Sequence, residues 1–142
     1  MKKLKYFIPS IIMMSVIFMF SNQTGNESSG LSSQIVVWIQ TYLHMPISEF
    51  IVRKLAHMSE YALLTFTFIY GFYHNQFSTK KIICLALSCT FLYACSDELH
   101  QLFIGGRVGQ FTDVLIDTSG GCLASLFFYL YQYLFSKNIK GD

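Results

Sequence analysis

Charged residues are scarce in this sequence: they make up 13% of its 142 positions, whereas 53% are hydrophobic and the mean hydropathy is +0.44. A soluble domain typically carries about a quarter charged residues, so the deficit indicates that lipid is the main solvent. Nucleic acid is not expected as a partner, because the formal net charge is only +2 and no basic stripe with interleaved aromatic residues is present. We expect partners among membrane lipids and lipid-linked molecules.

Any C-x-x-C pair is also lacking, although the chain has four cysteines. They lie inside apolar stretches, at Cys84, Cys89, Cys95 and Cys122. Their spacing is typical of neither a zinc site nor a disulfide framework. We interpret them as small, buried membrane residues, and leave open a nucleophilic role for Cys95, which lies two residues before Asp97.

Four apolar segments are each close to the length that a helix needs to cross a bilayer. The sequence therefore predicts an all-α fold, a multi-pass transmembrane helix bundle that forms a single domain over residues 1–142. The predicted spans are residues 5–21, 51–73, 80–102 and 112–135. No A-x-A-like site follows Phe20, which favours an uncleaved first span over a secretory signal.

The predicted outer loop, residues 22–50, is richer in Ser, Asn, Gln and Gly. Helical spacing connects five of its residues, Leu31, Ile35, Trp38, Ile39 and Tyr42. A short amphipathic helix with Trp and Tyr on one face is typical of the lipid headgroup layer. We expect this helix to lie along the membrane surface, with ordinary packing against the bundle as the alternative.

Basic residues are distributed unequally between the two ends of the predicted spans. With four spans, the N-terminus, the 74–81 turn and the C-terminus share one side, which carries seven of the ten basic residues: Lys2, Lys3, Lys5, Lys80, Lys81, Lys137 and Lys140. The positive-inside rule then places both termini in the cytoplasm. Apart from Asp142, the acidic residues fall on or near the opposite, outer side.

Ionisable residues gather where the outer ends of three spans are predicted to meet. The second span begins with a set spaced by helical turns, Arg53, Lys54, His57, Glu60 and Tyr61. The end of the third span and the start of the fourth add Asp97, Glu98, His100, Gln101, Arg107, Asp113 and Asp117. An ionised side chain at the middle of a span costs roughly 2.5–3.5 kcal/mol, so such groups are expected to have a function or a partner.

Five glycines lie within or just after this polar region. Gly105, Gly106 and Gly109 are predicted to end the third span and to allow a tight turn around Arg107. Gly120 and Gly121 follow in the fourth span, where the lack of side chains would let a neighbouring helix approach closely.

The ordered set of motifs from Phe20 to Gly121 resembles the VanZ-like family. The matching pieces are Phe20-Ser21 with Gln23, Ser28-Ser29 with Leu31-Ser32, Arg53-Lys54, Ala56-His57, Glu60-Tyr61, Tyr93-Ala94, Asp97-Glu98, His100-Gln101, Gly106-Arg107 with Gly109, then Asp113, Asp117 and Gly120. Three positions depart from the family pattern: Gly105 where Pro is frequent, Asp117 where many members have Asn, and Ala124 where Gly is common. The resemblance implies a multi-pass protein of the bacterial plasma membrane. It also implies an association with resistance to teicoplanin, a lipid-tailed glycopeptide that acts outside that membrane.

Two functions fit an outward-facing polar site at headgroup depth. The first is an enzyme, a hydrolase or transferase that acts on a lipid or lipid-linked envelope precursor. Its candidate catalytic residues are His57, Glu60, Asp97, Glu98, His100 and Asp113. They would serve as acid/base pairs or as ligands of a divalent metal, the candidate metal set being His57, Asp97 and His100.

Substrate-binding candidates complete the enzyme hypothesis. Arg53, Lys54 and Arg107 could hold a phosphate, and the whole predicted binding set is Ser21, Gln23, Arg53, Lys54, Tyr61, Gln101, Arg107 and Asp117. The second hypothesis is a protein that binds or shields a lipoglycopeptide or an envelope lipid without chemistry. An ion-pair network that only holds helix ends together is the structural alternative. The bundle is small enough that a homo-oligomer is also expected.

Overall fold

The computed structural model describes residues 3–139, and side chains for residues 3–134. This part of the chain is all-helical, which confirms the predicted fold class. A short 3-10 helix, Leu4–Phe7, leads into five α-helices: α1 (Ile8–Ser21), α2 (Gly25–Leu43), α3 (Glu49–His74), α4 (Thr79–Gln101) and α5 (Phe111–Ile139). The observed helices begin and end close to the predicted spans, and α2 lies in the predicted outer loop.

Three segments in the described part of the chain are long and apolar enough to cross a membrane: Leu4–Ser21, Thr79–Gln101 and Phe111–Leu134. Helix α3 is not among them. Its 26 residues exceed the roughly 20 that a span needs, but its first half carries Arg53, Lys54, His57 and Glu60. The number of spans that composition supports is therefore three, and the predicted fourth span is not confirmed.

Helix α3 lies at the centre of the bundle and packs against each of the other four α-helices. Tyr61, Leu64 and Thr65 on this helix are fully buried. The opposite face of α3 is exposed on the outside of the bundle, at Leu55, Leu63 and Phe66 among others. The helix therefore has one face buried among its neighbours and one apolar face turned away from them.

Close contact between α3 and α5 depends on two glycines. A Cβ atom built at Gly120 would lie 2.0 Å from the carbonyl oxygen of Met58, and one at Gly121 would lie 2.8 Å from Thr65 Oγ1. Thr65 also shares a hydrogen bond of 2.8 Å with Thr90, which ties α3 to α4. The predicted close approach at these glycines is confirmed.

The two ends of the bundle differ in chemistry. At one end, Asn75 after α3 accepts a hydrogen bond from the backbone N–H of Lys3 at 2.8 Å, and the rings of Tyr6 and His74 stack at 4.6 Å. We call this the lysine end, because Lys3, Lys5, Lys80 and Lys81 lie on the segments that meet there. Lys2 and Lys140, which were predicted on the same side, lie outside the described residues, and Lys137 lies outside the described side chains.

We call the opposite end the site end. There α1 and α4 finish while α3 and α5 begin. Helix α2 starts at the same end with a capping box: the side chain of Glu27 accepts from the Thr24 backbone N–H at 2.8 Å, and Thr24 Oγ1 accepts from the Glu27 N–H at 3.4 Å. Two hydrogen bonds thereby fix where α2 begins.

Candidate functional site

Ion pairs and hydrogen bonds join three helix ends at the site end. Lys54 on α3 forms an ion pair with Asp113 on α5. The Glu98 side chain on α4 accepts a hydrogen bond of 2.9 Å from the backbone N–H of Gln110, just before α5. The predicted meeting of the start of α3, the end of α4 and the start of α5 is thus present in the structure.

Arg107 fastens the loop between α4 and α5 to the end of α1. Its guanidinium donates to the carbonyl oxygens of Gln23 at 2.9 Å and Phe20 at 3.2 Å, and to the Gln101 side chain at 3.4 Å. Gly106 just before it has φ +76°, a left-handed conformation that favours glycine. The predicted glycine turn around Arg107 is therefore confirmed. The arginine holds this loop against the end of α1 through its hydrogen bonds.

A polar cleft of about 200 Å³ opens between the start of α3 and this loop. Charged and amide side chains dominate its walls, which include Arg53, Lys54, His57, Gln101, Arg107, Gln110 and Asp113. Gly25 and Gly106 form part of the wall as backbone, with the Gly25 N–H donating to the carbonyl oxygen of Gly105 at 3.2 Å.

A second cleft, of about 240 Å³, lies between α2 and α3 and is mainly apolar. Its walls include Phe20, Leu31, Ile35, Val52 and Ala56, with Glu60 and Gln23 among the polar contributors. The two clefts adjoin each other, since Arg53, His57 and Arg107 line both of them. A polar compartment and an apolar compartment thus share one wall.

Arg53 is the cation in this shared wall that has no protein partner: it makes no hydrogen bond or ion pair with the described residues. Burial of the Arg107 guanidinium, and then repulsion from Arg53, lower the pKa of Arg107 from its ordinary value. Two like charges side by side are unfavourable unless something balances them. The carboxyl groups of Asp97, Glu98 and Glu60 act in the opposite direction on the Arg107 pKa and supply part of that balance. An anionic group in the clefts would add to it.

A family model described as VanZ/LLP1 matches residues 6–132, nearly the whole chain. The chain belongs to the VanZ/LLP1 family. The matched range contains every residue that lines the two clefts. No curated protein and no solved structure matches the chain.

Beneath the clefts of this VanZ/LLP1 protein lies a buried polar layer. Asp117 is fully buried, and neither of its carboxylate oxygens has a hydrogen-bond partner. His57 Nδ1 lies 3.8 Å from Asp117 Oδ1, too far for a hydrogen bond but close enough for an ion pair. Asp97 is also buried, and one of its oxygens accepts from the Gln101 side chain at 3.3 Å. His57 is therefore placed between a buried carboxylate and the cleft space.

The predicted site residues fall into three groups by position. The cleft walls hold eight of them: Gln23, Arg53, Lys54, His57, Glu60, Gln101, Arg107 and Asp113. Five more are buried without lining either cleft wall, namely Ser21, Tyr61, Asp97, Glu98 and Asp117. His100 also lies outside both walls. Their roles in catalysis or substrate binding remain predictions.

The predicted metal set of His57, Asp97 and His100 stays a prediction. Among the side chains of residues 3–134, no three or more from His, Cys, Asp and Glu are arranged to hold a metal ion. The reason is the direction of His100, whose ring packs against Phe18 of α1 at 4.8 Å and lines neither cleft. The four cysteines are free, and the interpretation of them as buried residues is wrong: Cys84 and Cys122 are exposed, and Cys89 and Cys95 are half-buried.

Several wall residues were not predicted. Phe50, Val108 and Gln110 line the polar cleft, and Ser28, Leu31, Ser32 and Ile35 line the apolar cleft. Counted from Ser28, the other residues from α2 follow at three, four and seven positions, which is the spacing of one helix face. That periodicity was available in the sequence, but it does not reveal that the face covers α3 rather than lipid.

Proposed function

We propose that the protein is a four-span plasma-membrane protein with both termini in the cytoplasm, and that it acts on a lipid or lipid-linked cell-envelope molecule at its outward-facing site end. The concentration of lysines at the opposite end supports this orientation through the positive-inside rule. Helix α3 serves as the fourth span because its neighbours shield its polar half from lipid. Helix α2 lies near the outer surface, with Trp38 and Tyr42 exposed at headgroup depth.

One observation carries the proposed substrate class: Arg53, a cation without a protein partner, stands between a polar cleft and an apolar cleft. An amphiphile with an anionic head group has the complementary chemistry, since its charge would be balanced by Arg53 and its apolar part would be removed from water. Phosphate-bearing lipids of the outer leaflet and lipid-linked envelope precursors both have this form.

The position of His57 supports chemistry in addition to binding. Its Nδ1 lies 3.8 Å from Asp117 Oδ1, beyond hydrogen-bond distance, so the two groups approach each other without forming a carboxylate–histidine dyad. In this protein the imidazole also lines both clefts. We assign His57 the role of general base toward water or a substrate hydroxyl, in a hydrolase or transferase reaction.

The resemblance to VanZ-like proteins links this function to teicoplanin resistance. Lipoglycopeptides act outside the cytoplasmic membrane, where the proposed site opens. A protein that changes the head group of an envelope lipid would change the surface to which the drug's lipid tail anchors. Resistance would then follow from the altered envelope rather than from destruction of the drug.

Binding or shielding without chemistry is the second candidate, and the bonding at the site end favours it. Asp113 pairs with Lys54, Glu98 accepts from Gln110, and Arg107 is used as a clamp. These groups hold helix ends together and are less available for catalysis. In this alternative the clefts would hold an envelope lipid or a lipoglycopeptide unchanged.

Native mass spectrometry of the purified protein with lipids of different head-group charge tests the proposed substrate class. We expect wild type to retain phosphatidic acid in preference to zwitterionic phosphatidylcholine, and Arg53→Ala to lower that affinity by about tenfold, the equivalent of one charged hydrogen bond. Lys80→Ala, which removes an exposed cation at the lysine end, is the matched control and should bind as wild type does. Equal binding by all three proteins would reject the site.

Lipid extracts of cells that express the protein test the enzymatic candidate. A change in envelope lipid composition that disappears in His57→Ala, while phosphatidic acid binding is retained, would establish chemistry at His57. Retained binding with an unchanged lipid composition in wild type would favour the shielding candidate.

A further inference from the structure

The apolar cleft does not end at its own walls. A shallower groove of about 430 Å³ runs on along α2 toward Trp38, and it shares Phe20, Leu31 and Ile35 with the apolar cleft. A continuous apolar path therefore leads from Arg53 to the outside of the bundle. In a membrane, that outside is the hydrocarbon or headgroup region of the lipid.

We propose that this path is a lateral groove that holds a hydrocarbon chain of the phosphate-bearing lipid whose head group binds at Arg53. The inference rests on the proposed function and specifies how the substrate is held. Its support is the charge arrangement: Arg53 without a protein partner at the inner end of the path, Glu60 as the one acidic residue of the apolar-cleft wall, and predominantly apolar side chains from there outward. Only a molecule with one anionic end and a long apolar remainder complements both parts.

Ser32, a polar residue in the wall of the apolar cleft, does not contradict an apolar occupant. Ser32 donates to the backbone carbonyl oxygen of Ser28 one turn earlier in α2, at 3.0 Å. That hydroxyl is thereby satisfied within the helix and does not require water in the groove. Leu31 and Ile35 are about half exposed, at 45% and 47%, so a chain could cover them without a rearrangement of the core.

The position of α2 over the groove is fixed from its start. The capping box at Thr24 begins the helix, the Gly25 N–H is bonded to Gly105, and Arg107 holds the preceding Gln23 carbonyl. A site with walls fixed in advance avoids part of the ordering cost of binding. The lipid would enter sideways from the outer leaflet, and its chain would stay at membrane depth throughout.

Photo-crosslinking tests the groove. The probe is phosphatidic acid with a diazirine in one acyl chain, added to the full chain in phosphatidylcholine nanodiscs, and the labelled residues are identified by mass spectrometry. We expect label on Phe20, Leu31, Ile35 and Trp38. Ile35→Trp places an indole in the groove and should exclude the acyl chain. We expect the label to fall by about tenfold, because a lipid whose chain no longer fits the groove should bind about tenfold more weakly.

Val37→Trp is the matched control, because Val37 is exposed on the same helix but lines neither the cleft nor the groove. This variant should label as wild type does. Leu31→Trp fills the same path from a neighbouring turn and is measured in parallel, so that the result does not depend on one variant folding. Equal labelling in the groove-filling variants and the control, or label spread over the outer faces of α1 and α5, would overturn the groove.

Failure of the groove and failure of the proposed head-group site are distinguishable. Short-chain dihexanoyl phosphatidic acid has little to place in the groove, so its binding reports on Arg53 alone. Arg53-dependent binding of this probe, with no chain label in the groove, would reject the groove and leave the head-group site standing. A change of oligomeric mass in Ile35→Trp with chain labelling unaltered would assign the groove to a second copy of the chain and also overturn the proposal.

Discussion

Arg53 and Arg107 carry the same charge in the same wall but have opposite bonding. Arg107 donates to Phe20, Gln23 and Gln101, whereas Arg53 has no partner among the described residues. The sequence marks both as anion-binding candidates, because it shows charge and position but not which guanidinium donors are already used. The structure separates a positioning residue from a free cation.

The two arginines should therefore respond differently to the same substitution. Arg107→Lys loses the planar fork that reaches three acceptors, so we expect the free energy of unfolding to fall by about 2 kcal/mol, from hydrogen bonds of about 1 kcal/mol each. Arg53→Lys keeps the charge and breaks no bond, and should be within about 0.5 kcal/mol of wild type. Thermal unfolding of both variants in the same detergent measures the difference. Similar losses in the two would contradict the assigned roles.

Glu27 supplies a second prediction at this scale, one that depends on pH. Hydrogen bonds from the Thr24 backbone N–H and hydroxyl lower the pKa of Glu27 below its ordinary value of 4.5. A lowered folded-state pKa means that the stabilisation is present above about pH 4.5 and is lost as the pH falls through the folded value. Glu27→Gln should lower the unfolding temperature at neutral pH, and the difference from wild type should shrink below pH 4.5. A difference that stays constant with pH would show that the charge of Glu27 has no part in the cap.

At the scale of elements, the contact between α3 and α5 depends on the absence of a side chain at Gly120. An added methyl group would meet the Met58 backbone, which cannot move as a flexible side chain would. We expect Gly120→Ala to destabilise the protein by about 1–3 kcal/mol, the usual range for overpacking. Chemical denaturation in mixed micelles is a suitable measurement.

Gly30 is the matched control for that substitution. It lies within α2, and a Cβ atom there would have no neighbour within 4 Å. Gly30→Ala should be neutral or stabilising by up to about 1 kcal/mol, because alanine has the higher helix propensity. Equal effects of the two alanines would mean that helix propensity rather than interhelical packing determines the response.

The order and approximate bounds of the helices were predictable from the sequence, because lengths of apolar segments and helix-breaking glycines are local properties. The central position of α3 was not, since it depends on which helices surround it. The same limit applies to His100: spacing places it near one helix end with Asp97, but the packing of its ring against Phe18 of α1 depends on a neighbouring helix. The predicted meeting of the start of α3 with the start of α5 needed only the depth of each span end, and the Lys54–Asp113 ion pair shows that it is present.

At the scale of the whole molecule, three apolar helices and the central, partly polar α3 form a bundle with chemically different ends. The lysine end has a tyrosine and histidine cluster around His74, and the site end has the two clefts. Every functional inference requires that the site end face outward. If only three helices crossed the membrane and α3 did not, the clefts would lie at a different position relative to the lipid, and the functional inferences would not hold.

Cysteine accessibility in intact cells tests this orientation most directly. In a variant with its four cysteines replaced by alanine, Val108→Cys places one thiol at the exposed rim of the polar cleft, and Lys80→Cys places one at the lysine end. A membrane-impermeant maleimide should label the thiol at position 108 without permeabilisation and the thiol at position 80 only after it. Labelling at position 80 alone in intact cells, or at both positions, would contradict the outward-facing site.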